Sequence, residues 1–216
     1  MFVVEKQPKS IAAESYRTLR TNIQYSSFDK EYRTIVVTSS ELGEGKTVTS
    51  GNLALALAQG ENKVLLIDCD MRKPSIHKNF RISNESGLSE LLLHKKTMEN
   101  ISWKYNDNLT LIPAGKVPPN PSEMLGSRVM GTFLDEMKKH FDYIVIDTPP
   151  LGAVTDAQVL STKVDGTILV VKAGSTKKDV VMNSVNLIKK VNGNLIGTVL
   201  NGVEKSKNKY YYYYGN

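Results

Sequence analysis

The chain has 216 residues, 40% of them hydrophobic and 23% charged, with a formal net charge of +6; that length buries a sizeable core in one α/β domain, and the composition excludes wholesale disorder. One cysteine, Cys69, excludes an internal disulfide, and its place between two aspartates gives no metal cluster. No apolar run approaches the about 20 residues that cross a bilayer, no signal-peptide core is present, and the lysines are spread rather than striped, so a soluble, cytoplasmic chain with no nucleic-acid partner is expected.

Ser10 to Ser26 reads as the first helix, with Ile11, Ala12, Tyr16, Leu19 and Ile23 gathering on the side that should pack on the domain. Glu14, Arg17 and Arg20 then fall on the opposite side as E-x-x-R-x-x-R. Physical chemistry alone makes that a solvated face with an i,i+3 ion pair, worth about 0.2–0.5 kcal/mol.

The chain is organised around the next stretch. Ile35, Val36 and Val37 form a β-branched run that suits a strand buried on both faces of a parallel sheet. A loop through Gly43, Glu44 and Gly45 follows, then Lys46, Thr47, Val48 and an Ala/Leu helix from Asn52 to Gln59. The two glycines let backbone N–H groups turn around an anion at the positive end of that helix. Lys46 adds a charge for the outer phosphates and Thr47 a hydroxyl for Mg2+, so the segment approximates G-x-x-x-x-G-K-[ST], with Ser40 at the first glycine position. Ser40 opens the loop only if its dihedrals are ordinary.

Val64 to Ile67 reads as a second buried strand, ending in Asp68-Cys69-Asp70-Met71-Arg72-Lys73-Pro74. In open parallel sheets ligands sit beyond the carboxyl ends of the strands, so these acids should project toward bound nucleotide. A capping or turn aspartate explains one of them but not both. Gly87 to Leu93 reads as a short helix and Leu109 to Ile112 as a strand. Past the proline-rich Lys116 to Pro121, Ser122 to His140 gives one or two helices with Leu125, Val129, Phe133, Leu134 and Met137 inside. Tyr143 to Ile146 delivers Asp147 at a strand end, as an acid of a Mg2+ shell would be delivered. Thr167 to Val171 and Leu195 to Leu200 are further strands around the helix Lys177 to Val191. Asn201 ends the last strand, either as a reader of the adenine edge or as a turn residue before Gly202.

The tail breaks the pattern. Lys205 to Lys209 is basic and polar, and Tyr210, Tyr211, Tyr212, Tyr213 and Tyr214 follow without interruption. No helical or strand period puts five consecutive aromatics inside, so a domain over 1–204 and a flexible tail over 205–216 are expected. Phosphorylation of each tyrosine would add roughly −1.5 to −2 charge and turn a basic tail acidic.

Taken together, E-x-x-R-x-x-R at Glu14, Arg17 and Arg20, S-x-x-x-x-G-K-T around Lys46, D-C-D-M-R-K-P from Asp68, I-V-I-D-T-P-P ending at Pro150, and the tyrosine cluster resemble the bacterial protein-tyrosine kinases of capsule and exopolysaccharide assembly. The resemblance spans nearly the whole chain. It implies a P-loop NTPase fold with a mostly parallel central sheet flanked by helices on both faces, ATP and Mg2+ as cofactors, and autophosphorylation of the tail tyrosines between subunits of a homo-oligomeric ring. It further implies Glu14, Arg17 and Arg20 at the ring interface, a membrane activator on a separate chain that recruits the kinase to the inner face of the plasma membrane, and a cognate tyrosine phosphatase. The alternative is a nucleotide-switched ATPase of the kind that positions division and partition machinery; those relatives carry a second lysine early in the loop, where this chain has Glu41.

Phosphoryl transfer needs positioning and charge stabilisation. That assigns Gly43, Glu44, Gly45, Lys46, Thr47, Val48 and Asn201 to nucleotide and Thr47, Asp70 and Asp147 to Mg2+. Lys46, Asp68 and Asp70 take the chemistry. Asp68, which directly ends its strand, is the favoured proton acceptor for the incoming tyrosine, although residue order does not decide between Asp68 and Asp70.

Overall fold

Runs of Ile, Val and Leu too apolar to leave either face in water form β1 (Thr34–Ser39), β2 (Val64–Asp68), β4 (Leu109–Ile112), β5 (Tyr143–Asp147) and β6 (Gly166–Lys172), with β7 (Leu195–Asn201) beyond them. A two-residue strand, β3 (Trp103–Lys104), was too short to leave a periodic signal. The computed structural model describes residues 2–26 and 31–203, so Tyr210 to Tyr214 and the tail boundary expected after residue 204 lie outside the described residues.

The seven strands lie in the order β3-β4-β2-β5-β1-β6-β7, all parallel except the β3–β4 pair. The helices are α1 (Val3–Lys6), α2 (Ile11–Tyr25), α3 (Lys46–Gln59), α4 (Ile76–Phe80), α5 (Leu88–Leu92), α6 (Met98–Ile101), α7 (Pro121–Gly126), α8 (Arg128–Met137), α9 (Asp156–Ser161) and α10 (Lys178–Lys190). They cover both faces, as parallel strands require. Val37, Leu66 and Val145 point to a core shared with α1 to α4, whereas Val36, Leu65 and Ile144 point to one shared with α5 to α9. Each such fully buried side chain contributes about 1.5–3 kcal/mol.

Helix α2 departs from the expected face. Ser10 caps it through a bond from Ala13 N, but Ile11 and Ala12 are exposed, and the buried side runs through Ala13, Tyr16, Leu19 and Ile23. At 100° per residue Ile11 swings off that stripe, whereas Ala12 is in line with it and is exposed in the first turn of the helix. Arg20 is not on a solvated face either: its Nη1 donates to Ala56 O (2.8 Å). Ala56 is among the last four residues of α3, whose carbonyls lack helical partners, so Arg20 caps the end of the helix that begins at Lys46. Glu14 and Arg17 do form the expected i,i+3 pair at 2.8 Å, with Arg17 also donating to Pro8 O.

Candidate active site

The strand order brings three carboxyl ends side by side. β5 lies between β2 and β1, and its register pairs Asp147 with Asp68 on one side and with Val37 on the other. The loop after β1 therefore opens directly beside two aspartates more than 75 residues apart in sequence. Gly43 and Gly45 take φ of 79° and 94°, the left-handed region that glycine enters freely. Ser40 keeps an ordinary backbone, so the serine opens the loop without strain.

Lys46 begins α3, and its Nζ lies 2.8 Å from Asp70 Oδ2. Burial alone would depress the ammonium, but Asp147, Asp70 and Asp68 outweigh it and hold its pKa above the ordinary value. Thr47 Oγ1 accepts from Ser75 Oγ (3.1 Å). Asp68 is wholly buried and accepts three backbone N–H groups: Asp70 N on Oδ1 (3.1 Å), Ser75 N and Ile76 N on Oδ2 (3.0 Å each). Burial, and then the charge of Asp147, push its carboxyl up to about 8 despite the amides that favour the carboxylate. Asp147 is also raised by burial, with Lys46, Thr47 and Ser50 working against that rise.

Asp147 offers an oxygen that a cation could take. Ser50 Oγ donates to its Oδ1 (2.9 Å), whereas Oδ2 is buried with no hydrogen-bond partner. An orphaned carboxylate oxygen is costly. Placed near the Thr47 hydroxyl and the phosphate loop, it fits a hard, oxygen-seeking ion such as Mg2+, which keeps few protein ligands and takes the rest from phosphate and water.

Glu44 and Asn201 turn out differently from simple ligand contacts. The Glu44 side chain, 3% exposed, points back into the protein, accepting Glu41 N (2.7 Å), Lys172 N (3.4 Å) and the Thr176 hydroxyl. Only its backbone is left to face an anion. Asn201 Nδ2 donates to Glu44 O (2.9 Å), and its amide fills the space that a Cβ at Gly45 would need. Val48 is exposed on the first turn of α3. Sequence reasoning also missed Ser50, Ser75, Thr176 and Asp156. Asp156, fully buried, grips Arg72 through both oxygens (3.0 and 3.1 Å) and takes the Ser122 hydroxyl, which ties the β2 loop to α7 and α9. Only Ser50 had a signal, one helical turn past Lys46.

A family model described as an AAA domain matches residues 32–198. Tyrosine-protein kinase YwqD of Bacillus subtilis is 40% identical over 210 residues, 97% of this chain and 89% of its own length. The CapB protein of Staphylococcus aureus is 42% identical over 214 residues, 98% of this chain and 94% of its own. Among solved structures, the kinase domain of the Escherichia coli tyrosine kinase ETK superposes with a TM-score of 0.91 at 34% identity, covering 99% of this chain and 85% of that one.

Proposed function

The chain belongs to the bacterial tyrosine-protein kinases, and we propose that it transfers the γ-phosphoryl group of MgATP to Tyr210 to Tyr214 of a neighbouring copy. The observation that carries this is the meeting of a lysine-bearing phosphate loop with Asp68, Asp70 and Asp147 at three strand ends, two of them immediate neighbours of β5. The loop amides and Lys46 cradle the phosphates and stabilise the charge that spreads over the moving group. Thr47 and Asp147 would hold the metal, with Asp70 beside them. Mg2+, when bound, neutralises charge on the outer phosphate oxygens.

Asp68 takes the tyrosine proton. Its carboxyl sits at about 8, near the operating pH, which is where a general base works best. The proton passes to one carboxylate oxygen while the three amides keep the group in place. Asn201 reaches the adenine side of the loop from the end of β7.

The name CapB supports a role in capsule or exopolysaccharide synthesis; to this the proposal adds export, a membrane activator as partner and a tyrosine phosphatase that resets the tail. Among the described residues no helix is long and apolar enough to cross a membrane; recruitment to the inner face of the plasma membrane through that activator is part of the proposal. Glu14, exposed, and Arg17, partly exposed, are the interface residues of a ring, and Arg20 supports them from the α3 side. Incubation with MgATP and an activator fragment, followed by mass spectrometry of the C-terminal peptide, tests the proposal. Phosphate on the tyrosines is expected; hydrolysis of ATP with unmodified tyrosines would replace the kinase by a nucleotide-switched ATPase.

A further inference from the structure

Phe2 is only 3% exposed although it precedes the first helix, and its ring is pressed into the phosphate-loop helix at Gly51. A Cβ at Gly51 would overlap the ring. Glycine is a poor residue for a helix interior, and here its missing side chain is the socket. On its other side the ring meets Phe80, with centroids 4.4 Å apart, and Phe80 in turn stands edge-on to Tyr105 at 5.0 Å. The segment is pinned beside the ring. Val4 is fully buried, its N–H donates to Asn52 Oδ1 of α3 (3.1 Å), and Tyr105 donates its hydroxyl to Glu5 (2.9 Å).

Phe80 ends α4, the five-residue helix that starts at Ile76. The amides of Ile76 and of Ser75 before it are those that hold Asp68 Oδ2. A helix this short has little stability of its own, so its place is set by what it packs against. Its N-terminal amides grip the acid, and its C-terminal ring rests on Phe2.

We propose that Phe2 is a positioning residue for phosphoryl transfer: wedged between α3 and α4, it sets the spacing of the two helices and thereby holds the Ser75 and Ile76 amides on Asp68. The N-terminal segment thus tunes a reaction centre that it does not touch. The inference rests on the assignment of Asp68 as proton acceptor, and the test separates the two.

Phe2→Ala removes the wedge, Gly51→Ala displaces it while keeping Phe2, and Phe2→Leu restores part of the bulk. Hydrogen exchange is followed at Ser75 and Ile76 on the full chain without nucleotide, and kcat and KM for MgATP in tyrosine phosphorylation are followed with activator present. In Phe2→Ala and Gly51→Ala, exchange at those two amides should rise about tenfold while β1 and β5 stay protected. The value of kcat should fall about ten- to a hundredfold, with KM within about twofold. Phe2→Leu should recover part of each change, and it carries the test with Gly51→Ala should Phe2→Ala fail to fold. A residue that only filled the core would lower the melting temperature and leave exchange at Ser75 and Ile76 in step with the rest of the protein; that result overturns the proposal. Raised exchange at the two amides with an unchanged kcat would keep the wedge and remove Asp68 from the role of base.

Discussion

Lys46 Nζ and Asp70 Oδ2 form an ion pair of 2.8 Å in which neither side chain is more than 11% exposed. The lysine that should face the phosphates is thus held by a carboxylate and must exchange that partner when the phosphates arrive. Its charge also offsets that of Asp147 and Asp70. Lys46→Met should lower phosphorylation by about 10²-fold or more, the range seen when one preorganised charge donor is lost from a transition state. The variant should fold, yet melt lower at pH 8 than at pH 5 by a wider margin than the parent, because its acids have lost their counter-charge. Normal autophosphorylation would make the lysine a bystander.

Asp68 makes stability depend on pH in a defined direction. Its carboxyl titrates at about 8 in the fold against an ordinary value of 3.8. The native state therefore holds a proton that the unfolded chain has released, and stability falls as pH rises from about 4 to about 8. Differential scanning calorimetry of the nucleotide-free protein should show this slope. Asp68→Asn, which has no proton to lose, should flatten it.

Asp68→Asn and Asp70→Asn should both impair transfer, and titration with MgATP should tell them apart. Asp68 meets only backbone donors, so its replacement leaves nucleotide affinity nearly intact. Asp70 touches Lys46, and its replacement changes how that lysine is presented. Normal binding and normal phosphorylation in both variants would make the strand-end acids structural.

The buried Glu44 carboxylate braces the phosphate loop against the turn after β6. Thr176→Val removes one of its donors, and an unsatisfied buried acceptor costs about 1–3 kcal/mol. Part of that cost should appear as slack in the loop, with MgADP binding about tenfold weaker by calorimetry. Unchanged affinity would show that Glu41 N and Lys172 N suffice.

Arg20→Ala should behave unlike its two companions in the motif. Losing the bond to Ala56 O should cost about 1–2 kcal/mol, or a few degrees in melting temperature, for a partly exposed charged donor. Glu14→Ala and Arg17→Ala should leave melting within about a degree, since exposed pairs contribute little. If these two form the ring interface, their double variant should be monomeric by light scattering while the parent is oligomeric. A parent that phosphorylates itself efficiently as a monomer would leave that face to solvent.

Much of this site was legible because its determinants are local. Buried strands announce themselves as apolar runs, and a residue at the end of a parallel strand has its direction fixed, which is why Asp68, Asp147 and the Lys46 loop were found together. What stayed hidden depends on side-chain direction at long range. Nothing in residue order says that Glu44 turns inward to meet Thr176, that Arg20 leaves its solvent stripe for Ala56, or that Asp156 grips Arg72 across the mouth of the site. Asp68 and Asp70 have a single residue between them, and residue order does not say that Asp68 meets only backbone amides while Asp70 meets the Lys73 amide and Lys46.

The register of β1 has a consequence for how the molecule is made. Thr34 pairs with Ile144 and Ile35 with Gly166, so the central strand finds its partners more than a hundred residues later in the chain. Pairings of that span must close large loops before they return any stabilisation, and such topologies fold slowly. During synthesis the phosphate loop emerges early but has no neighbouring strand ends to define it until β5 and β6 have followed. The candidate site, which needs the ends of β1, β2 and β5 side by side, is therefore completed only after β5 has been made.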